Sequence, residues 1–374
     1  MGIAIIAGTR PEILKLAPVF QSLKQEALEP VWIATGQHGD LADQALEAVG
    51  ITPGVKLPGG WDARSLTNLS AGLLTQLGGW VEANKPDAVI VQGDTASAYS
   101  GALAAHLNKV LVGHVEAGLR SGDTNNPFPE ESFRRLIAPI ADFHFAPTRL
   151  AEKNLRLDGV RARQIWVTGN TIIDTVLDMA DRVRAPEVLK RVLPGERLIL
   201  LTAHRRENWG EGISDICRAA KELVERHSDV RIIFPAHSNP RVRETVMAEL
   251  GKTDRIHAVA PLAYPEFIAV LKASHLVLSD SGGVQEEAPS FDVPVLVLRE
   301  TTERQEAIDS GVAKLVGTNP DEIVREASKL LTRSSAHRKM ASRRNPFGDG
   351  KSSQRIVKVL AQHLKSSDAL KKAS

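Results

Sequence analysis

Carboxylates stand where short apolar runs end. The run 88–92 closes on Gly93-Asp94-Thr95, and the run 110–115 is followed by Glu116. If these runs are neighbouring strands, Asp94 and Glu116 meet at one mouth. The chain then reaches Glu130 and Glu131 through Pro127-Phe128-Pro129. Carboxylates crowded in this way repel, which raises at least one pKa and suits acid/base chemistry. The plainer alternative has Asp94 capping a helix and Glu116 pairing with Arg120.

Anion-binding groups follow other runs. Arg10, and Lys15 about one helical turn on, come after the run 3–7 and could clamp an oxyanion or phosphate. An ordinary helix start with solvated cations is the alternative, and the stronger reading from that spacing alone. His204, beside Arg205 and Arg206, follows the run 198–202. A neutral imidazole there could donate to a leaving oxygen, and a charged one could hold a phosphate. A structural histidine is the alternative, and it is the stronger reading for His237, after the run 230–234. Ser281-Gly282-Gly283 lies between the run 276–279 and a helix. Glycines there let a pyrophosphate approach the backbone, and N–H groups at the helix start point at it. Glu287 follows about one turn later and could accept from ribose hydroxyls. A plain glycine-rich turn is the alternative. The chain has no G-x-G-x-x-G, no G-x-x-x-x-G-K-[ST], no H-E-x-x-H and no paired C-x-x-C. NAD and ATP chemistry are therefore disfavoured, and a structural zinc is not suggested.

These residues need strands to carry them. The runs 3–7, 31–35, 88–92, 110–115, 143–146 and 165–168 form one series, and 198–202, 230–234, 256–259, 276–279, 295–298 and 313–316 a second. They are continuously apolar, as in strands buried on both faces of a parallel sheet. Amphipathic stretches at 11–24, 65–82, 98–106, 213–226 and 239–249 read as the helices between them. The rhythm predicts an α/β chain of two Rossmann-like, doubly wound domains, 1–168 and 169–351, with ligand groups outside the carboxyl ends of the strands. A last helix, 352–364, is expected to return to the first domain, and the polar stretch 365–374 to fray.

Composition narrows the classes. The chain has 374 residues, 43% hydrophobic and 25% charged, which is ample core material for about two domains. Lys+Arg is 47 and Asp+Glu is 45, so general nucleic-acid binding is not expected. The single cysteine, Cys217, excludes an internal disulfide and fits a reducing compartment. No stretch approaches the ~20 apolar residues of a membrane span. The short apolar start reads as a strand and not a signal peptide, so no membrane association and a cytoplasmic location are expected.

Together the motifs resemble the non-hydrolysing UDP-N-acetylglucosamine 2-epimerase family. They are GTRPE (8–12), TGQH (35–38), QGDT (92–95), HVEAGLRS (114–121), PFPEE (127–131), ADFHFAPT (141–148), VTGNTIID (167–174), TAHRREN (202–208), SGGVQEEA (281–288), LRETTERQEA (298–307) and NPFGDG (345–350). Each is weak alone; in this order they are specific. The resemblance implies a GT-B-like fold with an interdomain active-site cleft, and interconversion of UDP-GlcNAc and UDP-ManNAc without a cofactor or metal. It implies catalytic positions at Asp94, Glu116, Glu130 and His204. It implies nucleotide-sugar contacts at Arg10, Lys15, Phe267, Ser281, Gly282, Gly283, Glu287 and Arg304. It also implies a homodimer that supplies ManNAc for surface polysaccharides. The pattern departs at Gln305, where Pro is common, at Phe133, where Asn is common, and at Leu262. It departs again at Gly39-Asp40, where many bacterial members carry Arg-Glu in a second, activating UDP-GlcNAc site. Such activation is not expected here.

Overall fold

The computed structural model describes residues 2–59, 65–236 and 240–373. Two compact units divide the chain. The first comprises Met1–Thr175 with Phe347–Ser374, and the second Val176–Pro346.

The first unit is built on β1 (Gly2–Ala7), β2 (Glu29–Ala34), β3 (Val55–Lys56), β4 (Ala88–Gln92), β5 (Leu111–Val115), β6 (Phe143–Ala146) and β7 (Ile165–Val167). All pair in parallel, in the order β3-β2-β1-β4-β5-β6-β7. The apolar runs explain this sheet. Ile3, Ile5, Val89, Val91 and Phe145 are buried, and each such side chain contributes about 1.5–3 kcal/mol by leaving water. Helices α1 (Arg10–Gln25), α2 (Asp40–Val49), α3 (Leu66–Asn84), α4 (Ala96–Leu107), α5 (Glu130–Ile137) and α6 (Arg149–Leu157) connect the strands. The chain leaves the unit through α7 (Thr171–Arg182), so the division runs inside that helix and not at the Gly169 turn before it.

The second unit repeats the plan with β8 (Arg197–Thr202), β9 (Val230–Pro235), β10 (Ile256–Val259), β11 (Leu276–Ser279), β12 (Val295–Val297) and β13 (Ala313–Leu315). The order is β10-β9-β8-β11-β12-β13, again parallel. Its helices are α8 (Glu211–Arg226), α9 (Pro240–Leu250), α10 (Tyr264–Ala273), α11 (Gly282–Glu287), α12 (Gln305–Ser310), α13 (Pro320–Thr332) and α14 (Ser334–Ala341). In each sheet the strand order reverses at one place: between β1 and β4, and between β8 and β11. At such reversals a crevice opens outside the carboxyl ends of the strands.

Helix α15 (Ser352–Ala373) belongs to the first unit and continues past the expected end at residue 364. Its start is anchored by Asp174 on α7. That carboxylate accepts from the Ser352 and Ser353 amides at 3.1 and 2.8 Å and from the Ser353 hydroxyl at 2.6 Å. Negative charge at a helix start satisfies otherwise orphaned N–H groups. A second anchor repairs α1, where Pro18 cannot donate to the Leu14 carbonyl one turn back. The Thr175 hydroxyl donates to that carbonyl instead, at 2.5 Å. Among the described residues, no helix is long and apolar enough to cross a membrane.

Candidate active site

In the first unit the chemistry gathers at the carboxyl edge of β1, β4 and β5. β4 and β5 pair from Ala88–Leu111 to Gln92–Val115, so Asp94 and Glu116 emerge from adjacent strand ends. Glu116 leaves β5 in the left-handed region, with φ 62°. A glutamate held there costs roughly 1–3 kcal/mol of backbone strain, which other contacts must offset. Those contacts are Lys15 of α1, ion-paired to Glu116 Oε2, and Asn170, whose amide donates to the same oxygen at 3.0 Å. Asp94 Oδ2 receives Arg134 of α5 through Nε at 2.7 Å. Arg134 also donates to Glu131 at 3.3 Å, and Arg135 to Glu131 at 3.0 Å. Glu131 is fully buried; burial alone would raise its pKa, but the Ser121 amide, Arg135 and Arg134 outweigh burial and hold it below the usual value. Glu130 opens α5, and its Oε2 is shut off from solvent with no hydrogen-bond partner among the described residues.

Glu12 ties this edge together. One oxygen accepts from the Gly8 and Thr9 amides at 3.0 and 2.7 Å, and the other from the Thr95 hydroxyl at 2.7 Å. Thr95 in turn accepts from the Ala98 amide at 3.0 Å and so caps α4. The turn bearing Arg10 and the turn bearing Asp94 are thus fastened to one carboxyl. Burial pushes that carboxyl up to about 7, against the pull of its hydrogen bonds. Gly8 admits no side chain, because a Cβ there would lie 1.9 Å from Thr35 Oγ1 and 2.3 Å from Ser97 Oγ.

In the second unit the edge of β8 and β11 carries the remaining groups. Asp280, fully buried, follows β11. Its Oδ2 accepts from the His204 and Arg205 amides at 2.9 Å each and from Asn208 Nδ2 at 3.0 Å. Its Oδ1 lies 3.1 Å from His204 Nδ1. Burial alone would raise the Asp280 pKa; His204 and these amides outweigh it and lower it. Ser281 stands at the N-cap position of the six-residue α11, with no capping hydrogen bond from its side chain. A Cβ on Gly283 would meet nothing nearer than 3.8 Å, and one on Gly282 would first meet Arg304 Cζ at 3.4 Å. The protein itself leaves room at both glycines. Glu287 accepts from the Tyr264 hydroxyl at 2.9 Å. Arg304 donates to buried Glu286 at 2.7 Å, and Phe267 is half-buried on α10.

A profile of the UDP-N-acetylglucosamine 2-epimerase family matches residues 21–361. This chain belongs to that family. The UDP-N-acetylglucosamine 2-epimerase of Bacillus subtilis (strain 168) is 43% identical over 360 residues, covering 96% of this chain and 94% of that protein. The UDP-GlcNAc 2-epimerase from Neisseria meningitidis, solved bound to UDP-GlcNAc, superposes with a TM-score of 0.87 at 37% identity, covering 97% of this chain and 100% of that one. The enzyme from Methanocaldococcus jannaschii, solved with UDP-GlcNAc and UDP, gives 0.78 at 35% identity, over 97% of this chain and 100% of that one. The two doubly wound, GT-B-like domains expected from the sequence are therefore those of the epimerase family.

Within this family member, the first unit brings Arg10, Lys15, Asp94, Glu116 and Glu130 to one sheet edge, and the second brings His204, Ser281, Gly282 and Gly283 to another. The plainer alternatives do not hold. Thr95, not Asp94, caps α4, and Arg120 bonds Asp158 at 2.7 Å while Lys15 takes Glu116. Lys15 is thereby not simply an anion clamp beside Arg10. The raised carboxyl is Glu12, and its cause is burial and not crowding. Glu12, Arg134, Asn170 and Asp280 escaped sequence reasoning. Each stands within or beside a motif, but its role depends on partners far along the chain. Phe133 is buried and stacks on Tyr99 with ring centroids 5.0 Å apart, so its apolar character serves packing between α4 and α5. His237 lies outside the described residues.

Proposed function

We propose that the chain interconverts UDP-GlcNAc and UDP-ManNAc by eliminating UDP and adding it back. C2 of the sugar has no adjacent ring carbonyl, so its hydrogen is weakly acidic and direct deprotonation is slow. In the elimination, a carboxylate takes the C2 proton, the C2–H electron pair becomes the C1=C2 bond, and the C1–O bond breaks to release UDP. The intermediate is 2-acetamidoglucal. UDP then adds to C1 while a proton reaches C2 from the opposite face. This requires acid/base groups on both faces of C2 and firm holding of a departing diphosphate.

One observation carries the reading: Asp94 and Glu116 emerge from adjacent strand ends, each ion-paired to a cation from a helix, with Glu130 on the helix that supplies Arg134. Arg134 and Lys15 hold the Asp94 and Glu116 side chains in place at this edge. Glu130 brings an oxygen with no hydrogen-bond partner among the described residues. For the diphosphate, the open backbone at Gly282 and Gly283 supplies N–H groups, with Arg304 as a cation and His204 on the neighbouring strand end. Glu287, steadied by Tyr264, suits ribose hydroxyls, and Phe267 offers an apolar face to the base. That the relatives from Neisseria meningitidis and Methanocaldococcus jannaschii were solved with UDP-GlcNAc supports this substrate.

Incubation with UDP-GlcNAc in deuterated water tests the proposal. UDP-ManNAc should form, with deuterium at C2 in both sugars. Free ManNAc as the main product, or substrate recovered without label, would overturn it.

A further inference from the structure

Asp280 is placed as the partner of a catalytic histidine is placed, although the proposed chemistry does not itself call on it. Its side chain is fully buried, which disfavours a carboxylate unless donors compensate. Three N–H groups meet one oxygen: the His204 amide, the Arg205 amide and Asn208 Nδ2, at 2.9, 2.9 and 3.0 Å. Those contacts fix the rotation of the carboxylate. They leave the other oxygen, Oδ1, buried and 3.1 Å from His204 Nδ1. At that distance the ring nitrogen is in reach but off the straight hydrogen-bond line, as the atom's lack of any aligned donor requires. The Trp209 indole donates to the His204 carbonyl at 3.1 Å, so the backbone beneath the ring is held as well.

We propose that Asp280 is a positioning residue that fixes the neutral His204 ring as its Nδ1–H tautomer. Donor and acceptor bookkeeping decides the tautomer. A carboxylate oxygen accepts and cannot donate, so the nitrogen facing Oδ1 must carry the proton. Nε2 is then the nitrogen that accepts a proton when the ring is neutral and donates when it is charged. The use of Nε2 at the leaving diphosphate rests on the function proposed above. The tautomer does not.

The same bookkeeping predicts an inversion. In Asp280→Asn the three N–H donors still demand an oxygen at the Oδ2 position. The amide NH2 must therefore take the Oδ1 position and point at His204 Nδ1. That nitrogen then has to accept, which moves the ring proton to Nε2.

The test is two-bond 1H–15N correlation spectroscopy of the full chain labelled with 15N-histidine, at a pH high enough to leave the ring neutral. His204→Gln assigns the signals. We expect a pyrrole-type shift at Nδ1 and a pyridine-type shift at Nε2 in the wild type, exchanged in Asp280→Asn, with turnover about 100-fold lower or worse and KM little changed. An Nε2–H ring in the wild type overturns the proposal, whether or not the variant folds. The same tautomer in both proteins also overturns it. If the tautomers exchange as expected but His204→Gln turns over like the wild type, the positioning stands and the role assigned to His204 falls.

Discussion

The two units carry the same strand order but hold their charges in opposite ways. In the first, the acids beyond Glu12 are met by side-chain cations from helices: Lys15 on Glu116, and Arg134 on Asp94 and Glu131. In the second, the buried acid Asp280 is met mainly by backbone amides, and the cations are themselves held by carboxylates. Arg299 bonds Glu207 at 2.6 Å and Glu303 at 2.8 Å, and Arg304 bonds Glu286 at 2.7 Å. Side-chain pairs can exchange partners when a proton moves. Backbone dipoles cannot, but they require no reorganisation when an anion arrives. The first arrangement suits acid/base chemistry and the second suits holding a leaving group.

The largest expected effect tests the chemical side of that contrast. Asp94→Asn should lower kcat by about 10²–10⁴ with KM within a few-fold, because the amide keeps the contact with Arg134 but cannot take a proton. Steady-state kinetics would break the assignment by returning a wild-type kcat.

Next comes pH. Glu12, raised from 4.5 to about 7, binds its proton more tightly in the folded chain than in the unfolded one. Stability should therefore fall as pH rises through that interval, by on the order of 3 kcal/mol, relative to Glu12→Gln, which stays neutral. Glu303 has the opposite sign. Burial would raise it, but Arg299 outweighs burial and lowers it to about 2, so its stabilisation is present above 4.5 and disappears as pH falls toward 2. Chemical denaturation across pH should show the Glu12 curve diverging on the alkaline side and the Glu303→Gln curve converging on the acid side. Curves parallel to the wild type in both would remove this difference between the units.

Much of the frame was legible in the residues. The strands β4, β6, β10 and β11 fall at 88–92, 143–146, 256–259 and 276–279, as their largely apolar runs predict. β3 was missed: Val55–Lys56 is two residues long and owes its conformation to pairing with β2, not to its own pattern. The positions of Asp94 and Glu116 were legible because strand ends are, but their partners were not. Arg120 is the near cation in sequence, yet Lys15, 101 residues away, takes Glu116. Asp280 stands beside the Ser-Gly-Gly turn, while the amides it accepts from are 76 and 75 residues away. Periodicity reports which face is buried. It does not report which polar atoms meet there, because that is decided by how strands are ordered and how loops return.

A smaller effect, with stability and binding moving apart, sharpens the anion-holding side. Gly283→Ala puts a methyl where the protein has room and where α11 would gain helix propensity. Thermal stability should hold or rise by up to about 1 kcal/mol, while UDP affinity falls about tenfold, since the methyl occupies the approach to the backbone N–H groups. Calorimetric titration showing undiminished UDP affinity would remove the diphosphate from this turn.

The smallest effect should come from Glu207→Gln. Glu207 is half-exposed, whereas Arg299 is buried and keeps its second carboxylate, Glu303. An exposed partner screened by water contributes less than about 1 kcal/mol, and the Gln side chain still accepts one hydrogen bond. Removing Glu303 instead takes away the more extensive of the two contacts, through both terminal nitrogens of the guanidinium. Unfolding of the two variants side by side should therefore rank Glu303→Gln as the more damaging. The reverse order would mean that the second unit holds its buried cation chiefly through Glu207, and that the fixed character inferred for its charges does not extend beyond Asp280.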